Sequence, residues 1–200
     1  MPKKIQRLNI VDIEATAWQD GITPEGKSQK EASEIIEIGI VKLDMKSLEI
    51  LNKESYLVIP IEYGLLGITG YCTKLTGITP QMIIKDGLTI DYALSRMMSE
   101  FRTTKYEWAS WGDYDRLQFE RECKRKGLRY PFHHTHINLK YALSLLTNQT
   151  VQRNVEGMLS FLNMEFEGNP YRALDDAYNI TRMYIKVMTQ IKRCIGDIIW

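Results

Sequence analysis

The sequence predicts an α/β fold: a mixed five-stranded sheet, three antiparallel strands followed by parallel ones, flanked by helices. Three observations predict it. Three strand-like runs, rich in β-branched residues and separated by short polar breaks, open the chain. Segments with helical spacing then alternate with two short strand-like runs. At 200 residues the chain suits one compact domain with a full core, 1–200, with 189–200 as a C-terminal tail.

Ile5 to Glu14 reads as the first strand, and Trp18 to Lys30, polar and rich in Gly, Pro and Gln, as a loop directly after it. Glu34 to Asp44 and Leu48 to Ile59 form a hairpin that Pro60 ends. Leu75 to Pro80 is a tight loop into a short helix, with Thr79 as cap and Pro80 at the first helical position. Ala93, Leu94, Met97, Met98 and Phe101 recur at helical spacing within Thr89 to Arg102, which makes the methionines core residues.

Glu107 to Trp111 is a fourth strand, and Asp115 to Lys126 a helix closed by Gly127. His136 to Leu139 is a short fifth strand running into a helix through Leu146, and Asn154 caps a helix through Leu162. A last long helix begins near Pro170, its apolar stripe Leu174, Ala177, Ile180, Tyr184, Val187 and Met188. The tail beyond it is amphipathic, so it packs on the domain or makes a homodimer contact.

Composition narrows the classes. With 44% hydrophobic and 26% charged residues the chain is neither disordered nor membrane-like, and no apolar run approaches a membrane span. The basic start lacks the apolar core of a signal segment, and a cytoplasmic location is expected. Three cysteines at wide, unpatterned spacing suggest neither disulfides nor zinc. A net charge of +1 excludes coating nucleic acid by bulk charge, though not gripping a few phosphates. Two local basic clusters, Lys3, Lys4 and Arg7, then Arg121, Lys124, Arg125, Lys126 and Arg129, are either solvated faces or a groove.

The chemistry starts at Ile10-Val11-Asp12-Ile13-Glu14-Ala15-Thr16. A period-two strand points Asp12 and Glu14 to the same face. Crowded acids repel unless something positive lies between them. More acids stand after the fourth strand, at Asp113 and Asp115, and on the last helix, at Asp175 and Asp176. In a mixed sheet, strand ends and adjacent helix starts converge, so these acids can meet. Gathered at one point they need divalent cations, and with two of them they make a phosphoryl-transfer site that neutralises phosphate oxygens and acidifies water.

The run Asp12-Ile13-Glu14-Ala15-Thr16, Asp115 ahead of a helix, and Ala173-Leu174-Asp175-Asp176-Ala177 resembles the DEDD superfamily of 3′-to-5′ exonucleases, of the RNase T and proofreading-exonuclease type, with an RNase H-like fold. Glu34-Ile35-Ile36-Glu37, Leu75-Thr76-Gly77-Ile78-Thr79 and Phe166-Glu167-Gly168-Asn169-Pro170 look like the branch with the KapD-like proteins and the histone-mRNA and small-RNA exonucleases. The resemblance implies two Mg²⁺ or Mn²⁺ ions, with Asp12 bridging both and Glu14 beside Asp176 on the nucleophile side. Asp115 would support the second ion, with Asp113 as the alternative. It implies single-stranded RNA or DNA 3′ ends as partners, contacted by Ala15, Thr16, Gly77 and Ile78. Trp18 would stack a base or pack.

One position departs from the resemblance. Five residues before Asp176, where the histidine branch has its base, stands Tyr171; the tyrosine branch has its tyrosine four before, where this chain has Arg172. Tyr171 either orients an already acidified water or packs beside a site of weakened activity, which would leave a module that binds nucleic-acid ends or a protein. His133, His134 and His136 cluster without a cysteine to complete a zinc site, and read as surface loop rather than a substitute base.

Overall fold

A computed structural model describes residues 4–149 and 153–195. The strands are β1 (Arg7–Ala15), β2 (Ile35–Asp44), β3 (Ile50–Leu57), β4 (Glu107–Ser110) and β5 (His136–Asn138), joined in the order β3-β2-β1-β4-β5. Strands β3, β2 and β1 pair antiparallel, while β4 and β5 run parallel to β1, which is the expected mixed sheet. The helices are α1 (Gln29–Ala32), α2 (Gly70–Thr76), α3 (Pro80–Asp86), α4 (Ile90–Phe101), α5 (Tyr114–Lys126), α6 (Leu139–Leu146), α7 (Val155–Phe161) and α8 (Ala173–Ile195).

Alternation along β1 builds two cores. Leu8 and Ile10 face one way and bury against Ala109, Leu143, Met158, Ile180, Met183 and Val187, under α6, α7 and α8. Val11 and Ile13 face the other way and bury against Leu94, Met97, Phe101, Trp108 and Phe119, under α4 and α5. Each such side chain contributes roughly 1.5–3 kcal/mol on leaving water. Asp12 and Glu14 continue the first face beyond its apolar part.

Local chemistry sets the element ends. Thr79 accepts from the Met82 amide with Pro80 following, and Asn138 and Asn154 cap α6 and α7 through Tyr141 and Gly157 amides. Gly127, at φ 64°, closes α5 in the left-handed region that glycine enters without penalty.

The structure departs from the sequence expectations in four places. Leu75 and Thr76 form the last turn of α2 rather than a loop; that helix is short, and its Thr69 cap sits in a stretch without clear periodicity. A 3₁₀ turn at Gly64–Gly67 also lies in that stretch. α8 starts at Ala173, three residues after Pro170, because Tyr171 has a left-handed backbone at φ 62°. Met183 joins the buried stripe while Leu174 is half-buried.

The second basic cluster is largely engaged within the protein. Lys126 bridges Glu34 and Glu122, at 2.9 and 2.6 Å, and Arg125 pairs with Glu62. Glu34 is fully buried and accepts the amides of Ile61 and Glu62, which fixes the chain leaving β3. α8 continues through 189–195, and the expected tail residues Ile198, Ile199 and Trp200 lie outside the described residues. Among the described residues no helix is long and apolar enough to cross a membrane.

Candidate active site

The site forms where β1 outruns β4. Their ladder ends at Ile10 opposite Ala109, leaving the last residues of β1 without a neighbour on that side. Into this gap comes Asp115, on the first turn of α5, whose Oδ1 accepts the Ile13 amide at 3.1 Å. Asp115 is thereby buried at the end of the central strand, 4% exposed. Asp113 faces elsewhere, paired with Arg116 and accepting from the Asn138 amide group at 3.0 Å.

From the other face comes Asp176, in the first turn of α8. Asp12, Glu14 and Asp176 each bring a carboxylate oxygen to within 4.8 Å of the other two. Asp175 lies outside this group, with Oδ2 accepting the Asn169 amide at 2.8 Å. Gly39, opposite Asp12 in the β1–β2 register, has no room for a Cβ, which would overlap the backbone of Ala173 and Leu174. A register shift between Glu14 and Ala15 bulges the strand at the site, as is common beside active sites.

Glu37 anchors this arrangement. It lies opposite Glu14, and its two oxygens accept from Arg172 at 3.0 and 2.8 Å, from the Ala173 amide at 3.0 Å and from Ser55 at 2.7 Å. The start of α8 is thus held onto β2, with the positive end of its dipole toward the acids. In the sequence Glu37 stands only as the last residue of the Glu34-Ile35-Ile36-Glu37 motif, with no role of its own. An acid inside the apolar run Ile35 to Val41 was the available signal, because a buried charge requires a partner.

Burial dominates the electrostatics. It raises Asp12 well above the usual carboxylate range, helped by the charges of Asp115, Asp176 and Glu14. Burial likewise pushes Glu14 up to about 8, with Asp176 and Glu37 adding to it and Arg172 opposing. Asp115 is pushed up to about 7 by burial, against hydrogen bonds from the Ile13 amide and Ser110. Asp176 rises to about 6 by burial, against the amides of Tyr171 and Arg172. Asp176 Oδ2 is buried without a hydrogen-bond partner. Hard carboxylate donors and one bare oxygen fit a divalent cation such as Mg²⁺ or Mn²⁺.

The remaining expected residues divide. Tyr171 stands at the rim, 52% exposed, in a backbone conformation that costs about 1–2 kcal/mol outside glycine. Ala15 is half-buried at the end of β1, and Thr16 is buried, its Oγ1 accepting the Glu34 amide at 2.9 Å. Gly77 is exposed as the left-handed cap of α2. Ile78, also expected at the substrate, has its side chain fully buried with Ile36, Cys72 and Ile83. Trp18 packs: it is 7% exposed, edge-on to Tyr63 with centroids 5.2 Å apart. Of the histidines, His136 turns inward onto Trp108, with Nε2 2.9 Å from Ser110 Oγ, while His133 and His134 stay in the loop before β5.

A mixed sheet in this order, with carboxylates from β1, α5 and α8 meeting at its strand ends, defines an RNase H-like nuclease scaffold. The chain belongs to the exonuclease family of RNase T type, whose family model matches residues 10–184. It is similar to ERI1 exoribonuclease 2 of Xenopus laevis, 28% identical over 88% of this chain and 27% of that protein. A second relative is 3′-5′ exoribonuclease 1 of Rattus norvegicus, 29% identical over 90% of this chain and 52% of that one. The chain therefore spans about a quarter to a half of these relatives' lengths. Among solved structures it is similar to the nuclease domain of 3′hExo, a DEDDh family member, bound to rAMP. That match has 25% identity and a TM-score of 0.78, and covers 93% of each chain.

Proposed function

We propose that this chain is a divalent-metal-dependent 3′-to-5′ exonuclease that hydrolyses phosphodiesters at single-stranded 3′ ends and releases nucleoside 5′-monophosphates. One observation carries it: three carboxylates from two distant segments lie within reach of a single ion, one of their oxygens buried and bare. Asp12, Glu14 and Asp176 would hold one Mg²⁺ or Mn²⁺, and Asp12 with Asp115 a second. When bound, such ions neutralise phosphate oxygens and lower the pKa of water. The chain's own groups do the positioning. The Ile13 amide holds Asp115 at the strand end, Glu37 holds the first turn of α8, and Gly77 is exposed with open space where a side chain would stand. RNA is the favoured substrate, since both relatives above are exoribonucleases and the similar nuclease domain holds rAMP.

The test is shortening of labelled single-stranded RNA and DNA with Mn²⁺ or Mg²⁺, by wild type and by Asp12→Ala. No shortening by wild type with either metal removes the proposal.

A second reading is favoured by Tyr171, which occupies the histidine position with its ring at the surface. On it the chain holds nucleic-acid ends without cutting. It requires wild-type end-binding without turnover, and activity appearing in Tyr171→His. A homodimer is tested separately, by light scattering on the full chain and on one truncated after Met188; an unchanged mass counts against it.

A further inference from the structure

Beside its apolar residues, α5 carries a polar stripe. Asp115, Gln118, Glu122 and Lys126 follow at spacings of three and four, so they lie along one side of the helix. The first three are buried, and each holds a different point of the neighbouring chain. Asp115 accepts the Ile13 amide, Gln118 donates to the Ser33 carbonyl at 2.8 Å, and Glu122 accepts the Ile35 amide at 2.8 Å. Lys126 closes the row, with its ammonium 2.6 Å from Glu122 and 2.9 Å from Glu34.

Glu34 joins two further segments. Its carbonyl accepts the Thr16 amide and its own amide donates to Thr16 Oγ1, both at 2.9 Å, two residues beyond Glu14. Its carboxylate accepts the amides of Ile61 and Glu62 at 2.8 and 2.9 Å. These segments also touch each other: Trp18 packs edge-on to Tyr63, and a Cβ on Gly67 would come within 3.2 Å of Thr16 and 3.1 Å of Tyr63. Residues 16–18 and 61–67 thus form one wall that continues β1 past Glu14. Arg125 adds more exposed ties from α5 to Glu62 and the Ser33 carbonyl. Glu34 and Glu122 are both buried and share the Lys126 ammonium, and a buried carboxylate that loses its cation is left uncompensated. The wall and the helix that carries Asp115 therefore depend on one charge.

We propose that Lys126 is a positioning residue for the nucleic-acid strand. Through Glu34 and Glu122 it fixes the wall relative to the acids, and so sets how tightly the strand is held rather than how fast it is cut. A strand with its scissile phosphate at Asp12 and Glu14 meets that wall because the wall directly follows them in the chain. The proposal rests on the exonuclease reading for the presence of the strand there.

The test uses the full chain and compares wild type, Lys126→Met and Lys126→Arg. The quantities read are kcat and KM for shortening of single-stranded RNA at saturating Mn²⁺, and anisotropy of the same RNA, fluorescein-labelled, with Ca²⁺ in place of Mn²⁺. Lys126→Met should raise KM and weaken RNA binding about 10-fold, with kcat within about 3-fold of wild type, the pattern of lost uniform binding. Lys126→Arg keeps a cation between the two carboxylates and should stay within about 3-fold in every readout. Should methionine unfold the chain, Lys126→Gln, which keeps a donor without the charge, carries the same comparison. Wild-type KM and RNA affinity in a folded Lys126→Met chain overturn the proposal, as does a loss confined to kcat, which would tie Lys126 to Asp115 instead. Lys126→Arg binding RNA as weakly as Lys126→Met also overturns it. A wild type that binds RNA without shortening it sinks the exonuclease reading alone, and the anisotropy series then decides the role of Lys126. A wild type that binds no RNA overturns both.

Discussion

Gly39 of β2 lies against the backbone of Ala173, the first residue of α8, with no space for a methyl group between them. Because Gly39 is also the register partner of Asp12, this contact fixes how near Asp176 comes to Asp12. Gly39→Ala must push the helix start away from the strand. The expected cost is about 1–3 kcal/mol, a fall in melting temperature of roughly 2–4 °C per kcal/mol for a chain of this size. Mn²⁺ affinity should fall with it, as read by melts with and without the ion. A variant with wild-type stability and Mn²⁺ affinity would show that the helix can shift without cost.

Asp113 and Asp115 separate cleanly. Asp115→Asn removes a buried carboxylate held at the site and should lower cleavage on the order of 100-fold. Asp113→Asn weakens a partly exposed pair with Arg116, worth about 0–1 kcal/mol, and should stay within about 3-fold. Initial rates on one labelled oligonucleotide decide it, and the reverse order would assign the fourth acid to Asp113.

Much of this site was legible in the sequence. Paired acids at a strand end, and acids opening two later helices, are chemical signals that survive without coordinates, and they converge because parallel strands bring their ends together. Strand and helix types were legible from periodicity and caps, as at Thr79 and Gly127. Three kinds of information were not. The three-residue delay of α8 depends on the left-handed turn at Tyr171, imposed by partners distant in sequence. The burial of Ile78 and Trp18 depends on which loop covers which. The role of Glu37 depends on Arg172, 135 residues away.

Stability without metal should fall as pH rises. Asp176, Asp115 and Glu14 are pushed up to about 6, 7 and 8, and Asp12 moves the same way, each chiefly by burial. Their unfolded values are near 4. Between those limits the folded state binds more protons than the unfolded one, so these groups' contribution is complete below about pH 4 and is lost as pH climbs through 6 to 8. Divalent ions bind the ionised carboxylates, so the melting temperature should gain more from Mn²⁺ at pH 8 than at pH 6, and chelator should reverse the gain. Asp12→Asn removes one crowded charge and should flatten the metal-free slope. A wild-type slope no steeper than that of Asp12→Asn would contradict the buried-acid description.

As a 3′-to-5′ exonuclease, this chain should use its clustered acids to hydrolyse phosphodiesters from the 3′ end. The most direct test is a time course on 5′-labelled and 3′-labelled single-stranded RNA with Mn²⁺, for wild type and Asp12→Ala side by side. The expected result is a descending ladder from the 5′-labelled strand, immediate release of labelled mononucleotide from the 3′-labelled strand, and neither with Asp12→Ala. Full-length RNA persisting with wild type, or equal shortening by Asp12→Ala, would contradict it.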